Sequence, residues 1–149
     1  MAILAFFSGT VAIVSSLPGN NAGVELYRAA DIWDAKSALA ALPADAVLAV
    51  APDPNHPAEF WGAPVAMGYP GHIWSHGING AAREDQLERM FRGEADWFSL
   101  ARQNGVTDIY WGPNEKRRYG SFSPPWLVAL RNVSSCPNVQ SYDVGRYRK

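Results

Sequence analysis

The sequence predicts an α/β domain of three layers, with a mainly parallel sheet, helices on both faces and an antiparallel C-terminal edge. Three observations carry this reading. An amphipathic stretch over residues 24–42 passes through a short turn into the continuous apolar run 46–50, and a helix followed by a strand recurs over 94–104 and 106–111. Continuous apolar strands alternating with helices are what a helix-covered parallel sheet requires. The strands then run into loops dense in Pro, Gly, Asn and His, as expected at the carboxyl edge where such sheets bind ligands.

Residues 2–17 carry no charge. As a helix they span about 24 Å, slightly short of the ~30 Å hydrocarbon core of a bilayer. The competing reading is a buried strand, because Val11, Ile13 and Val14 are β-branched and Gly9 weakens a helix. The membrane reading is preferred: residues 1–17 form an anchor, or the end of a last membrane helix. No Lys or Arg precedes the run, which argues against a secretory signal. Residues 18–23 are a linker, and the α/β domain occupies 24–149.

Within residues 24–42, Leu26, Ala29, Ala30, Trp33, Ala38, Leu39 and Leu42 fit a helical stripe, with Asp31 as a cap. The loop over 51–57, A-P-D-P-N-H-P, supplies Asp53, Asn55 and His56. One helical turn over 58–62 leads to a second strand over 64–67. The loop that follows, G-Y-P-G-H-I-W-S-H-G-I-N, holds most of the chemistry. Residues 81–93 read as a charged amphipathic helix with Leu87, Met90 and Phe91 inward and Gly93 as its stop. A second helix over 94–104 buries Trp97, Phe98, Leu100 and Ala101. Residues 106–111 are the third strand, and 112–120 a polar turn with a basic cluster at Lys116, Arg117 and Arg118. Residues 126–132 read as a last helix, and 139–144 pair with 146–148 around Gly145.

At 149 residues the chain is one domain's worth. Its net charge of -1 gives no general pull toward nucleic acid or an anionic membrane surface. Cys136 is the only cysteine, so no intrachain disulfide forms.

The polar and aromatic side chains of the loops suit a sugar or a polar head group. The candidates are Asp53, Asn55, His56, Tyr69, His72, Trp74, Ser75, His76, Asn79, Trp111 and Glu115. Arg117 and Arg118 suit a phosphate. The blander reading is that these loops merely pack together, with Trp74 and Trp111 capping the sheet. His56, His72 and His76 are weak metal candidates: the four-residue spacing of His72 and His76 suits a helix, but Pro70, Gly71 and Gly77 argue against one there. Ser75 beside His76 is no nucleophile pair, since adjacent side chains seldom face each other and no G-x-S-x-G turn occurs. No catalytic residue is assigned and no cofactor is called for.

Three pieces stand in order: A-V-L-A-V-A-P-D-P-N-H-P, then G-Y-P-G-H-I-W-S-H-G-I, then G-V-T-D-I-Y-W-G-P-N-E, with R-E-D-Q-L-E-R-M-F-R-G between the last two. Over roughly residues 24–115 this resembles the soluble C-terminal domain of bacterial polytopic membrane proteins that are themselves similar to glycosyltransferases using lipid-linked sugars. The resemblance implies an extracytoplasmic, periplasmic location at the inner membrane and a glycan or lipid-linked sugar as ligand. It also implies that the acceptor-activating acids lie in membrane helices not present in these residues, so that the isolated chain is not catalytic by itself. Two other classes stand beside it: a structural accessory subunit capping a larger membrane protein complex, and a small histidine-based metal enzyme or hydrolase.

Overall fold

The computed structural model describes residues 27–134 and 136–146. The segment over 1–17, the linker over 18–23 and residues 147–149 lie outside them. Among the described residues no helix is long and apolar enough to cross a membrane.

The fold is mixed α/β. Helix α1 (Ala29–Leu39) is followed by β1 (Leu48–Ala49), α2 (Pro57–Phe60), α3 (Pro70–Ser75), α4 (Ala81–Arg92) and α5 (Trp97–Gln103). Then come β2 (Asp108–Trp111), α6 (Pro113–Tyr119), α7 (Trp126–Ala129), β3 (Arg131–Asn132) and β4 (Gln140–Asp143). The sheet order is β1-β2-β4-β3. β1 and β2 run parallel, with Leu48 opposite Asp108, while β4 is antiparallel to both β2 and β3.

The sheet is therefore mixed rather than mainly parallel. Where the sequence predicts a strand over 64–67, Val65 makes only an isolated parallel bridge to Leu48. Pro64 has no N–H to give to a ladder, which limits the pairing. β4 pairs with β3 as well as with β2: the chain turns extended at Leu130, and the backbone N–H of Arg146 folds back onto Asp143 Oδ1 at 3.1 Å, while the rest of the predicted partner segment, 147–148, lies outside the described residues. The helix predicted over 126–132 accordingly ends at Ala129.

Alternate strand residues feed two apolar clusters. Ala49, Ile109 and Trp111 join Leu87, Met90, Phe91, Leu100 and Trp126 of α4, α5 and α7. Leu48, Val50 and Tyr110 join Ala35 and Ala38 of α1 and Ala58 of α2. The buried stripe of α1 is Ile32, Ala35 and Ala38; the two small alanines let the helix lie close to the sheet, and Trp33 is 59% exposed instead of inward. Asp31 does not cap α1; Arg28 holds the cap position, and Asp31 sits in the first turn, where a negative charge favours the helix dipole.

The larger cluster is aromatic. Phe91 stacks on Tyr119 at 4.7 Å, Trp111 meets Trp126 edge-on at 5.0 Å, and Trp126 Nε1 donates to the Met90 carbonyl. Offset and edge-on ring pairs of this kind add about 0.5–1.5 kcal/mol beyond their burial. Gly93 ends α4 at φ +74°, as the sequence predicts. A Cβ there would lie 2.3 Å from Pro125 Cδ, so the site requires glycine for packing as well as for its left-handed backbone.

Candidate functional site

β1 and β2 end side by side, and their loops meet through a buried pair. His56 and Glu115 are both fully buried, with His56 Nε2 2.9 Å from Glu115 Oε1. The Ala58 backbone N–H donates to His56 Nδ1, which therefore carries no proton, so Nε2 is the donor to the carboxylate. Glu115 also accepts the N–H of Ala51 at 2.7 Å on Oε1 and that of Gly112 at 2.9 Å on Oε2. Burial pushes the Glu115 carboxyl up, but His56 and the main-chain donors outweigh it and hold its pKa below the ordinary value. One carboxylate thus fastens the end of β1, the start of α2 and the start of α6.

Local sequence explains the placement. Where a polar turn is predicted over 112–120, the chain forms α6, because Pro113 takes the first helical position and Glu115 returns to the N–H of Gly112. Those two residues at that spacing are a helix-start signal legible in the sequence. Gly112 is needed for close approach, since a Cβ there would lie 2.5 Å from the Tyr110 ring. Tyr110 packs edge-on against His56 at 5.1 Å, and burial raises its phenol pKa.

Above this clasp opens a cavity of about 400 Å³, lined by Tyr27, Arg28, Asp31, Asp53, Asn55, Asn114 and Arg117 among others. Arg117 and Arg118 approach Asp53 at 3.7 and 3.5 Å, and Arg117 Nη2 bonds Asn114 Oδ1 at 3.3 Å. Asn55 takes φ +59°, a left-handed conformation that Asn tolerates better than most residues. The Arg117 side chain is 71% exposed, so a guanidinium with five N–H donors stands at the cavity's rim.

The histidine- and glycine-rich loop lies elsewhere on the surface. Pro70 starts α3 despite the glycines, again at the first helical position. Trp74 is 79% and Ile78 60% exposed, and with Asn79 and Glu84 they line a separate opening of about 520 Å³. Tyr69 packs edge-on against His72 at 5.3 Å. Ser75 Oγ donates to the His72 carbonyl, and Asn79 Oδ1 accepts the Ala81 N–H at the start of α4. His72, Ser75 and His76 are exposed.

The sequence-based candidates therefore divide into three groups. Asp53 and Asn55 line the cavity at the strand ends. His56, Glu115 and Trp111 lie inside the protein, Trp111 in the aromatic cluster and not as a cap. Tyr69, His72, Trp74, Ser75, His76 and Asn79 belong to the outer loop. His56 does not join His72 and His76, and among the described residues no group of three His, Cys, Asp or Glu side chains is placed to hold a metal ion. Sequence reasoning missed Tyr27, Arg28, Asp31 and Asn114 of the cavity lining, and Glu59. Asn114 is inconspicuous in the sequence. Glu59 reaches under Gly68, whose added Cβ would lie 3.2 Å from Glu59 Oε1, and that oxygen is buried with no hydrogen-bond partner in the structure. Burial raises the Glu59 pKa, while His56 and His72 oppose the shift.

No protein-family model matches this chain, and neither does any curated protein or solved structure.

Proposed function

We propose that the chain is a membrane-associated, extracytoplasmic binding domain for the sugar-phosphate portion of a lipid-linked sugar, serving a glycosyltransferase system and not catalytic by itself. The observation that carries the proposal is the cavity at the joined ends of β1 and β2. Its volume of about 400 Å³ falls in the range of about 300–1,000 Å³ typical of small-molecule sites. It combines carboxylate and amide groups suited to sugar hydroxyls with arginine donors suited to phosphate oxygens. Asp53 and Asn55 take the hydroxyls, and Arg117, steadied by Asn114, takes the phosphate. Membrane association comes from residues 1–17. The domain reads as three layers, supported by the two apolar clusters formed by alternate strand residues.

The test is calorimetric titration with a short-chain prenyl-phosphate hexose in detergent. Saturable binding is expected, weakened about tenfold or more by Arg117→Ala, in line with the loss of a charge-assisted contact worth about 1.5–3 kcal/mol. Equal binding by the parent and Arg117→Ala would overturn the assignment.

A second reading has its own observation. Trp74 and Ile78 form an exposed apolar tip beside two exposed histidines. Such a tip suits an accessory subunit that caps a larger membrane protein complex. Co-purification from native membranes that Trp74→Ala abolishes would favour it.

A further inference from the structure

We infer that the face built from Tyr27, Trp33, Phe60, Trp61 and Lys36 docks on the head-group layer of a bilayer, which sets the sugar-phosphate cavity at the membrane surface. This inference rests on the membrane-associated reading above and adds an orientation to it.

Four rings form one continuous run. Tyr27 meets Phe60 edge-on at 5.4 Å, Phe60 meets Trp61 at 5.3 Å, and Trp61 meets Trp33 at 5.8 Å. The run is held in place, because Trp61 Nε1 donates to the Ile32 carbonyl at 2.8 Å and so ties α2 to α1. Lys36 lies over both indoles, with Nζ 5.1 Å from the Trp33 ring and 4.6 Å from the Trp61 ring. Yet two of the four rings are turned to solvent: Trp33 is 59% and Phe60 55% exposed. A core would have covered them.

The combination of amphipathic rings and a long cationic stem is the one that membrane–water interfaces select. Beside it, Leu39, Leu42, Pro43, Ala63 and Pro64 continue the apolar character along a groove of about 380 Å³. The acids of α1 do not oppose contact at this face: Asp34 accepts from Asn138, and Asp31 lines the polar cavity.

What selects a bilayer as the occupant is where the preceding chain arrives. Residues 2–17 are uncharged, and residues 18–26 separate them from Tyr27, the first ring of the run. Nine residues reach at most about 30 Å when extended. If residues 2–17 enter a membrane, that tether holds Tyr27 and the rings beside it within about 30 Å of the bilayer. Tyr27 also lines the sugar-phosphate cavity, so the cavity mouth adjoins the docking face. A head group presented at the bilayer surface would then enter without leaving its leaflet.

The test uses the full chain in phosphatidylcholine–phosphatidylglycerol nanodiscs that carry lipids brominated near the glycerol end of their acyl chains, with tryptophan fluorescence as the readout. Quenching is expected, with about half of it lost in Trp33→Phe, because Trp33 is the exposed indole of the face. Trp74→Phe should leave the quenching unchanged, since Trp74 belongs to the other loop. No quenching, quenching insensitive to Trp33→Phe, or quenching lost in Trp74→Phe overturns the docking face. Binding of the prenyl-phosphate hexose in detergent micelles is read separately and needs no bilayer. Loss of that binding with Trp33-dependent quenching intact sinks the ligand assignment and spares the docking face; the reverse result sinks the docking face.

Discussion

His56 and His72 both stand in loops of Pro, Gly and polar residues, yet the protein treats them oppositely. His56 is fully buried, with both ring nitrogens hydrogen-bonded and the Glu115 carboxylate as its partner. His72 is exposed in a short helix whose surface is Trp74, Ser75 and His76. The first loop therefore carries structure and the second carries surface. A polar side chain becomes a structural element when its partners desolvate it together; here the Ala58 N–H and the distant Glu115 hold His56, and Ala51 and Gly112 in turn hold Glu115.

That contrast can be broken most forcefully at Glu115. Replacing it with Ala leaves the N–H groups of Ala51 and Gly112 and the Nε2–H of His56 buried without acceptors. A loss of about 3–5 kcal/mol is expected in denaturant unfolding. A loss under about 1 kcal/mol, the level of an ordinary surface pair, would mean the clasp is solvated in solution.

Next in size is Gly93→Ala, which meets both a left-handed backbone and the Pro124–Pro125 wall. At least about 1–3 kcal/mol should be lost, read from the thermal midpoint. It sharpens the comparison as a control, since it strains the core without touching either loop.

The pH dependence separates two carboxylates of opposite shift. Glu115 is depressed, so the stability it supplies is fully present above its unfolded pKa of about 4.5 and drains away as pH falls through its lower folded value. Glu59 is raised, so its ionisation costs stability as pH rises out of the ordinary carboxylate range. Glu59→Gln should therefore gain stability near pH 7 relative to pH 4, while the parent's acid unfolding limb should persist. If Glu59→Gln is equally stable relative to the parent at both pH values, the Glu59 carboxyl is solvated.

The smallest effect is expected at Trp74→Ala combined with His76→Ala. Both side chains are exposed, and stability should stay within about 0.5 kcal/mol of the parent. A larger loss would show the outer loop to be part of the fold.

Much of the frame was legible along the chain. The run 46–50, the inward faces of α4 and α5, and the stop at Gly93 follow from local periodicity and backbone freedom. What was misjudged depended on competing local signals or on distant partners. The glycines beside Pro70 and Gly112 suggested irregular chain, but proline at the first helical position outweighed them. Trp33 looked like a core residue by type, whereas small Ala35 and Ala38 took the contact with the sheet. β3 became a strand only because β4, encoded eight residues later, lies alongside it. Asp53 and Asn55, named as polar loop candidates, line the cavity, but no local pattern tells that His56, one residue on, turns inward.

The clasp also has a direction in time. Ala51 and His56 are made long before Glu115, which bonds them across sequence separations of 64 and 59 residues. On a ribosome, α1, β1 and α2 emerge with the His56 imidazole still wet, and no local contact can replace the missing carboxylate. Contacts of such long separation close late, after their loop entropy has been met. The two sides of the cavity at the strand ends are therefore fastened together late, and a nascent chain that ends short of residue 115 lacks the carboxylate that joins them.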